Sequence, residues 1–312
     1  MPKRRPTFLI TAGPTVEDID PVRFISNRAT GRLGVEIARA AVRRGYRVIL
    51  IHGPLPETVQ RAIPASRRLA AVPVRSAADM HRAVMKHVAA ANIVVMNAAV
   101  ADYTPARTAR VKIRKSSRGL TLRLRPTVDI LRQLGELKQR RASLVLIGFA
   151  LETGAGSTAL RRRASRVAAA RRKIEQKNLD AIVLDTPAAM GAARGSFAVL
   201  PRAERERIYR GVTKRKVAAL VVGLCERCLR RRWLKRSERC MKDVCRLNIS
   251  FARAVRGAWR RRRDGGDKRE VLLACNNLER ASSRCLRTLT DGGAGKLRLL
   301  RNFLRGRGRA PS

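Results

Sequence analysis

Glycines at 13, 31 and 34, with Ser26 and Asn27 between them, follow a short apolar run at Phe8–Ile10. Strand, glycine-bearing loop and helix, in that order, aim free backbone N–H groups and a helix N-terminus at a phosphate. Gly13, Ser26, Gly31 and Gly34 are therefore the candidate phosphate loop. No G-x-G-x-x-G occurs in it, so it is not the common dinucleotide fingerprint. A second run of small residues, Asn97-Ala98-Ala99-Val100-Ala101, lets a ligand approach the backbone and ends in the carboxylate of Asp102. Lys112 and Lys115 lie in a basic segment. Lys173 and Lys177, four apart on a helical pattern, project from one face. Lysines so placed can grip a polyphosphate as movable point charges, although the same spacing also describes a solvated helix face. A short-chain dehydrogenase is disfavoured, because Tyr103 has Arg107 where such enzymes need a lysine four residues on.

The elements that must hold these residues alternate along the chain. Strands are predicted at 7–12, 47–52, 70–74, 92–97, 144–149, 179–184 and 197–200. Helices are predicted at 32–44, 77–90, 129–139, 156–176 and 213–230. Such alternation implies an α/β fold: a doubly wound, mostly parallel, Rossmann-like sheet covered on both faces. Ligands in such sheets bind beyond the carboxyl ends of the strands. Residues 110–125 break the rhythm. Arg110–Lys115 and Leu120–Arg125 alternate apolar and basic residues around a Ser-Ser-Arg-Gly turn, which predicts an inserted β-hairpin arm.

The chain has 312 residues and a formal charge of +47, from 70 Lys and Arg against 23 Asp and Glu. A field of that sign and size favours phosphorylated substrates and attracts polyanions. No apolar run approaches the roughly 20 residues needed to span a bilayer. The first strand begins close to Met1, which leaves no room for a signal peptide, so a cytoplasmic location is expected. After about residue 230 the rhythm gives way to arginine runs. Two regions follow: residues 1–230 as the α/β domain and 231–312 as a basic C-terminal extension. The extension holds 24 basic and 7 acidic residues and is a candidate for nonspecific nucleic-acid contact. All six cysteines fall between Cys225 and Cys285. Cys225-x₂-Cys228 falls in a predicted helix, Cys240-x₄-Cys245 is loosely spaced and no histidine follows, so no metal ligands are assigned.

Seven segments in order carry a resemblance. They are Ile10-Thr-Ala-Gly-Pro-Thr15, Ile19–Asn27 with Gly31 and Gly34, Ala98-Ala-Val-Ala-Asp102, Lys112-Ile-Arg-Lys115, Asp129-Ile-Leu131, Gly148–Thr153 and Lys177-Asn-Leu-Asp180. Across residues 7–225 the chain resembles phosphopantothenoylcysteine synthetase, without the flavin-binding decarboxylase domain often fused upstream. The resemblance implies a ligase that joins 4′-phosphopantothenate to cysteine through an acyl-cytidylate, using CTP and Mg²⁺ and releasing diphosphate and CMP. It implies that Asn27 handles the acyl intermediate and that Lys112 contacts the reacting phosphates. It places Ala98 against the ligand, Asp102 on the nucleotide and Phe149 beside it. Asp129, Ile130, Lys173 and Lys177 fall with the nucleotide-binding positions. It also implies a homodimer, with the 103–125 arm crossing the interface. Four residues depart from the family pattern: Val128 replaces a proline, Asp185 an asparagine and Arg114 a lysine, and Phe197 stands near an expected asparagine. The rival from another class is a basic nucleic-acid-binding protein on a degenerate nucleotide fold.

Overall fold

The computed structural model describes residues 5–115, 119–151, 159–185 and 194–234, and Arg280. The Cys240/Cys245 pair and nearly all of the basic extension lie outside these residues. Residues 6–229 form one compact unit.

Strand β1 (Thr7–Ala12) has five successive buried residues, the pattern of a strand covered on both faces. It sits inside an eight-stranded sheet. Parallel strands β4 (Arg47–His52) and β5 (Leu69–Pro73) lie on one side of it. Parallel strands β6 (Ile93–Met96), β9 (Val145–Leu151) and β10 (Ala181–Asp185) lie on the other. Two antiparallel strands, β11 (Arg194–Pro201) and β12 (Arg207–Thr213), extend the β10 side to the edge. The order is β12-β11-β10-β9-β6-β1-β4-β5. The winding reverses between β1 and β6, and their carboxyl ends open the crevice where ligands bind in such sheets.

Helices cover both faces. On one face lie α1 (Arg32–Arg43) and the last helix, which occupies 214–234 and is α6 here. Ile37 and Ala41 of α1 pack there with Val217, Val221 and Cys225 of α6. On the other lie α3 (Ala77–Val88), α4 (Ile130–Arg140) and α5 (Ala159–Gln176). Met80, Val84, Leu134, Ala170 and Ile174 form that second core layer. A capping box between Ser76 and Asp79 starts α3, satisfying end N–H groups that would otherwise be orphaned. A single turn, α2 (Glu57–Gln60), follows β4.

The predicted strands and helices each appear, shifted by a few residues at their ends. Elements that the hydrophobic pattern missed are short or exposed. β2 (Val16–Asp18) and β3 (Phe24–Ser26) make a separate two-stranded ribbon. β12 is an edge strand with most of its residues exposed, so no apolar run marks it. The hairpin reading needs correction. Only β7 (Tyr103–Pro105) and β8 (Leu124–Pro126) pair, with one further bond from Ala106 N–H to the Arg123 carbonyl. The described residues of 110–123 carry no ladder. A two-stranded ribbon needs a covering face to be stable, and the apolar residues Val111, Leu120 and Leu122 of this arm are exposed instead.

Candidate functional site

The crevice is built from hydrogen bonds between loops. The buried Thr11 hydroxyl accepts from the backbone N–H groups of Asn97 and Ala98, both at 3.1 Å. Thr15, also buried, accepts from Ala101 N–H at 2.9 Å. Ala99 N–H donates to the Gly13 carbonyl at 2.9 Å, and Thr15 N–H donates back to the Ala99 carbonyl at 3.2 Å. The β1 loop and the small-residue run after β6 are thus one unit. Asn27 joins it, donating Nδ2–H to the Ala99 carbonyl at 2.9 Å. Ser26 donates to the Thr15 carbonyl at 2.8 Å, so its hydroxyl positions the loop.

Two glycines allow the close approach. Gly13 and Gly31 both have positive φ, +78° and +74°. A Cβ on Gly31 would clash with Leu55 Cδ2 and lie 3.0 Å from Gly13 Cα, and one on Gly13 would lie 2.9 Å from the same Leu55 carbon, so neither position accepts a larger residue without moving its neighbours. Gly31 is also the N-cap of α1 and offers no side-chain cap, so the helix end stays open to a ligand. Gly34 lets α1 pack on β1; its Cβ would meet that of Ala12 at 2.5 Å. Phe149, near the end of β9, packs into the core layer of α1 and α6 and is half-buried at the same edge.

The arm is tied down by a residue that the sequence reading did not select. Asp20, 2% exposed, accepts from Val22 N–H at 2.8 Å, Arg23 N–H at 2.7 Å and Ile113 N–H at 3.1 Å. Asp20 also pairs with Arg23 at 3.1 Å, and the Arg23 guanidinium in turn donates to the Ile113 carbonyl. Burial pushes the Asp20 carboxyl up, but these N–H donors and the Arg23 charge outweigh it and hold the group below the usual carboxylate range. Lys112, beside Ile113, is exposed. Asp102 is exposed too, and its carboxylate has no hydrogen bond or ion pair among the described residues.

Asp129 and Lys177 meet on the opposite face of the sheet. Lys177 Nζ lies 2.7 Å from Asp129 Oδ2, while Oδ1 caps α4 by accepting from Arg132 N–H at 3.0 Å. Burial raises the Asp129 carboxyl; the Lys177 hydrogen bond, the Arg132 N–H and both positive charges carry it below its ordinary value. Lys173 is half-buried one turn earlier on α5. Ile130 is 3% exposed and its side chain belongs to the second core layer, so only its backbone could face a ligand. Phe197, one of the positions that depart from the pattern, is likewise core at 2% exposed. The structure therefore gathers Gly13, Ser26, Asn27, Gly31, Gly34 and Ala98 in one crevice with Phe149 on its α1 face. The Asp129–Lys177 pair makes no hydrogen bond to them, although Thr127, two residues before Asp129, bonds the carbonyls of Ala101 and Asp102 at the end of the small-residue run. A cavity of ≈ 820 Å³ lined in part by His52 and Leu55 adjoins the glycine loop, because Leu55 lies against Gly13 and Gly31, but none of the predicted residues line it.

Residues 4–228 match the family described as DNA/pantothenate metabolism flavoprotein C-terminal domain. The chain belongs to that family. Among curated relatives, it is 44% identical over 188 residues to a coenzyme A biosynthesis bifunctional protein CoaBC of Bacillus subtilis, covering 60% of this chain and 42% of that protein. It is 37% identical over 217 residues to a cysteine/cysteine sulfinic acid decarboxylase of an unknown prokaryote, covering 68% of this chain and 56% of that one. The chain thus spans about half the length of the curated relatives it matches. Among solved structures, the C-terminal domain of a CoaBC protein superposes with a TM-score of 0.57 at 33% identity, over 73% of this chain and 97% of that domain. The flavoprotein C-terminal domain fold is accordingly the doubly wound α/β fold described above. Among the described residues, no helix of this family member is long and apolar enough to cross a membrane.

Proposed function

We propose that this chain is a phosphopantothenate–cysteine ligase. A carboxylate does not react with an amine until one of its oxygens becomes part of a good leaving group. In the proposed first step a carboxylate oxygen of 4′-phosphopantothenate attacks the α-phosphorus of CTP; the bond to the bridging oxygen breaks and diphosphate leaves. In the second, the cysteine amine attacks the acyl carbon of the acyl-cytidylate, CMP leaves with the carboxylate-derived oxygen, and the amine gives up a proton. Such phosphoryl chemistry depends mainly on positioning and on positive charge.

The observation that carries this reading is Asn27, fixed by the Ala99 carbonyl at the mouth of a glycine-lined crevice. One amide hydrogen is used by that carbonyl. The other hydrogen and the carboxamide oxygen remain for the acyl group and the incoming amine. The open N-terminus of α1 supplies backbone N–H groups to a phosphate. Phe149 offers an apolar surface to the nucleotide, and Ala98 keeps the wall low. Mg²⁺ would enter with the triphosphate and neutralise its charge, and the unpaired carboxylate of Asp102 is the oxygen donor at this edge that fits it. Lys112 would reach the reacting phosphates from the arm. The exposed Val111, Leu120, Leu122 and Leu124 fit an arm that is covered by a second copy of the chain, which makes a homodimer with shared sites part of the proposal.

The test is to incubate the purified full chain with CTP, Mg²⁺, 4′-phosphopantothenate and cysteine. Phosphopantothenoylcysteine and diphosphate should appear in equal amounts, and neither should form when cysteine and phosphopantothenate are both withheld. Turnover of CTP without amide formation would contradict the proposal.

A further inference from the structure

Two lysines are buried among the described residues, Lys138 and Lys214, at 4% and 8% exposed. They are not alike. Lys138 donates to the Asn178 carbonyl and pairs with Asp180 at 3.0 Å. Lys214 makes no hydrogen bond and no ion pair among the described residues. The stem of Lys214 is buried, but its ammonium keeps access to solvent, so the charge is held at the surface with no direct partner among the described residues.

Topology puts Lys214 at the crevice. β10 and β12 each run antiparallel to β11, so they point the same way. β10 is in turn parallel to β9, and the parallel ladder runs on through β6 to β1. Lys214 follows β12 directly and so emerges at the carboxyl edge of the sheet, with Asp185 at the end of β10 and Arg32 at the start of α1. The charges of both residues act on it. Burial pushes the ammonium below the ordinary lysine range; Asp185 draws it back up, and Arg32 adds to the depression.

Two helix N-termini meet at this edge. α6 begins at Lys214, with the Thr213 hydroxyl accepting from Lys216 N–H at 3.2 Å. It lies beside α1 in one core layer, and the two run the same way. Further along, Arg44 at the end of α1 reaches the Ala219 carbonyl of α6, and Tyr46 reaches Glu226. Cations in the first turn of a helix oppose its dipole, yet α6 starts Lys-Arg-Lys. The open N-terminus of α1, the Thr213-capped N-terminus of α6, the Lys214 ammonium and the half-buried Phe149 therefore share one face of the crevice.

We propose that Lys214 is a nucleotide-binding residue, its ammonium contacting phosphate oxygens of a nucleoside triphosphate seated at the N-termini of α1 and α6. This rests on the nucleotide-dependent reading of the same crevice and adds to it a residue from the far end of the domain. It also explains why a lysine is kept where a helix start and a buried position both disfavour one. The ligand's phosphate supplies a direct partner in addition to the Asp185 charge.

The experiment compares the full chain with Lys214→Met and Lys214→Arg, using calorimetric titration of CTP and of inorganic diphosphate and thermal unfolding without ligand. Lys214→Met should bind CTP roughly tenfold to a hundredfold more weakly, the scale of one lost hydrogen bond to a charged group. It should unfold no lower than wild type, because an apolar chain of similar length keeps the buried stem's packing and the ammonium has no direct hydrogen bond or ion pair among the described residues to lose. Lys214→Arg should recover part of the binding. A folded Lys214→Met that binds CTP like wild type overturns the proposal, as does a loss of stability with no change in binding. If neither substituted protein folds, the wild type decides: CTP should shield Lys214 from an amine-reactive label, read by peptide mass spectrometry, and equal labelling with and without CTP overturns it. A wild type that binds CTP but forms no amide removes the ligase reading and leaves Lys214 standing. A wild type whose unfolding neither CTP nor diphosphate shifts removes both.

Discussion

The crevice beside β1 and the arm after Tyr103 hold their polar groups in different ways. In the crevice, Thr11, Thr15, Ser26 and Asn27 each bond a backbone group of a neighbouring loop, and two positive-φ glycines touch. Moving one member disturbs the others. The arm is tied to the 18–23 turn by Thr108, Ala109 and the Asp20–Ile113 bond, and beyond its base its described residues carry no ladder and expose apolar side chains. The first arrangement suits groups that must be held to a fraction of an ångström. The second suits a charged side chain brought to the reaction by a segment whose surface is completed by another molecule. Substitutions in the crevice should therefore damage stability and activity together, and substitutions in the arm should damage activity alone.

Gly31→Val should have the largest effect. A β-branched residue at φ +74°, with its Cβ 3.0 Å from Gly13 Cα, forces the loop apart. CTP binding and ligation should fall below detection, and denaturant unfolding should show a loss of at least about 1–3 kcal/mol. A stable, active variant would show that the glycine contact is incidental. Lys112→Gln comes next. One positive contact to the reacting phosphates should be worth roughly 10²–10³ in turnover, with an unchanged unfolding midpoint because the residue is exposed. Equal activity would remove Lys112 from the chemistry, and a lowered midpoint would show that the arm is more deeply integrated than described.

The crevice and the arm were not equally legible in the sequence. β1, β4, β6, β9 and β10 are covered on both faces, so they read as apolar runs, and the glycines between β1 and α1 marked the crevice. The arm misled, because period-two alternation reports a face that wants covering and not a ladder that has formed. Lys214 was invisible for a related reason. Thr-Lys-Arg-Lys reads as a solvated charge run, and its burial arises only because β12, itself masked by arginines, turns back parallel to β10. Asp20 could have been suspected from Asp-Pro-Val-Arg, a turn in which a carboxylate bonds the N–H groups two and three residues on.

Smaller effects sharpen the contrast. Thr11→Val keeps the shape but leaves the N–H groups of Asn97 and Ala98 without their acceptor, which should cost about 1–3 kcal/mol in denaturant unfolding. Equal stability would mean that another acceptor replaces the hydroxyl. Asp20 predicts a pH dependence in the arm anchor. Its folded pKa lies below the ordinary carboxylate value, so its contribution is complete above that value, at about pH 4, and fades as pH falls through the lower folded value. Asp20→Asn should narrow the stability lost by wild type between neutral and acid conditions. Parallel acid profiles for the two proteins would show that Asp20 is not the group titrating.

The central claim is that the crevice activates a carboxylate by joining it to the nucleotide. It is tested most directly by labelling both carboxylate oxygens of 4′-phosphopantothenate with the heavy isotope, running the full reaction with CTP and cysteine, and weighing the CMP. The account predicts one heavy oxygen in each CMP and none in diphosphate. Unlabelled CMP, or label in the diphosphate, would contradict an acyl-cytidylate and with it the proposed role of the crevice.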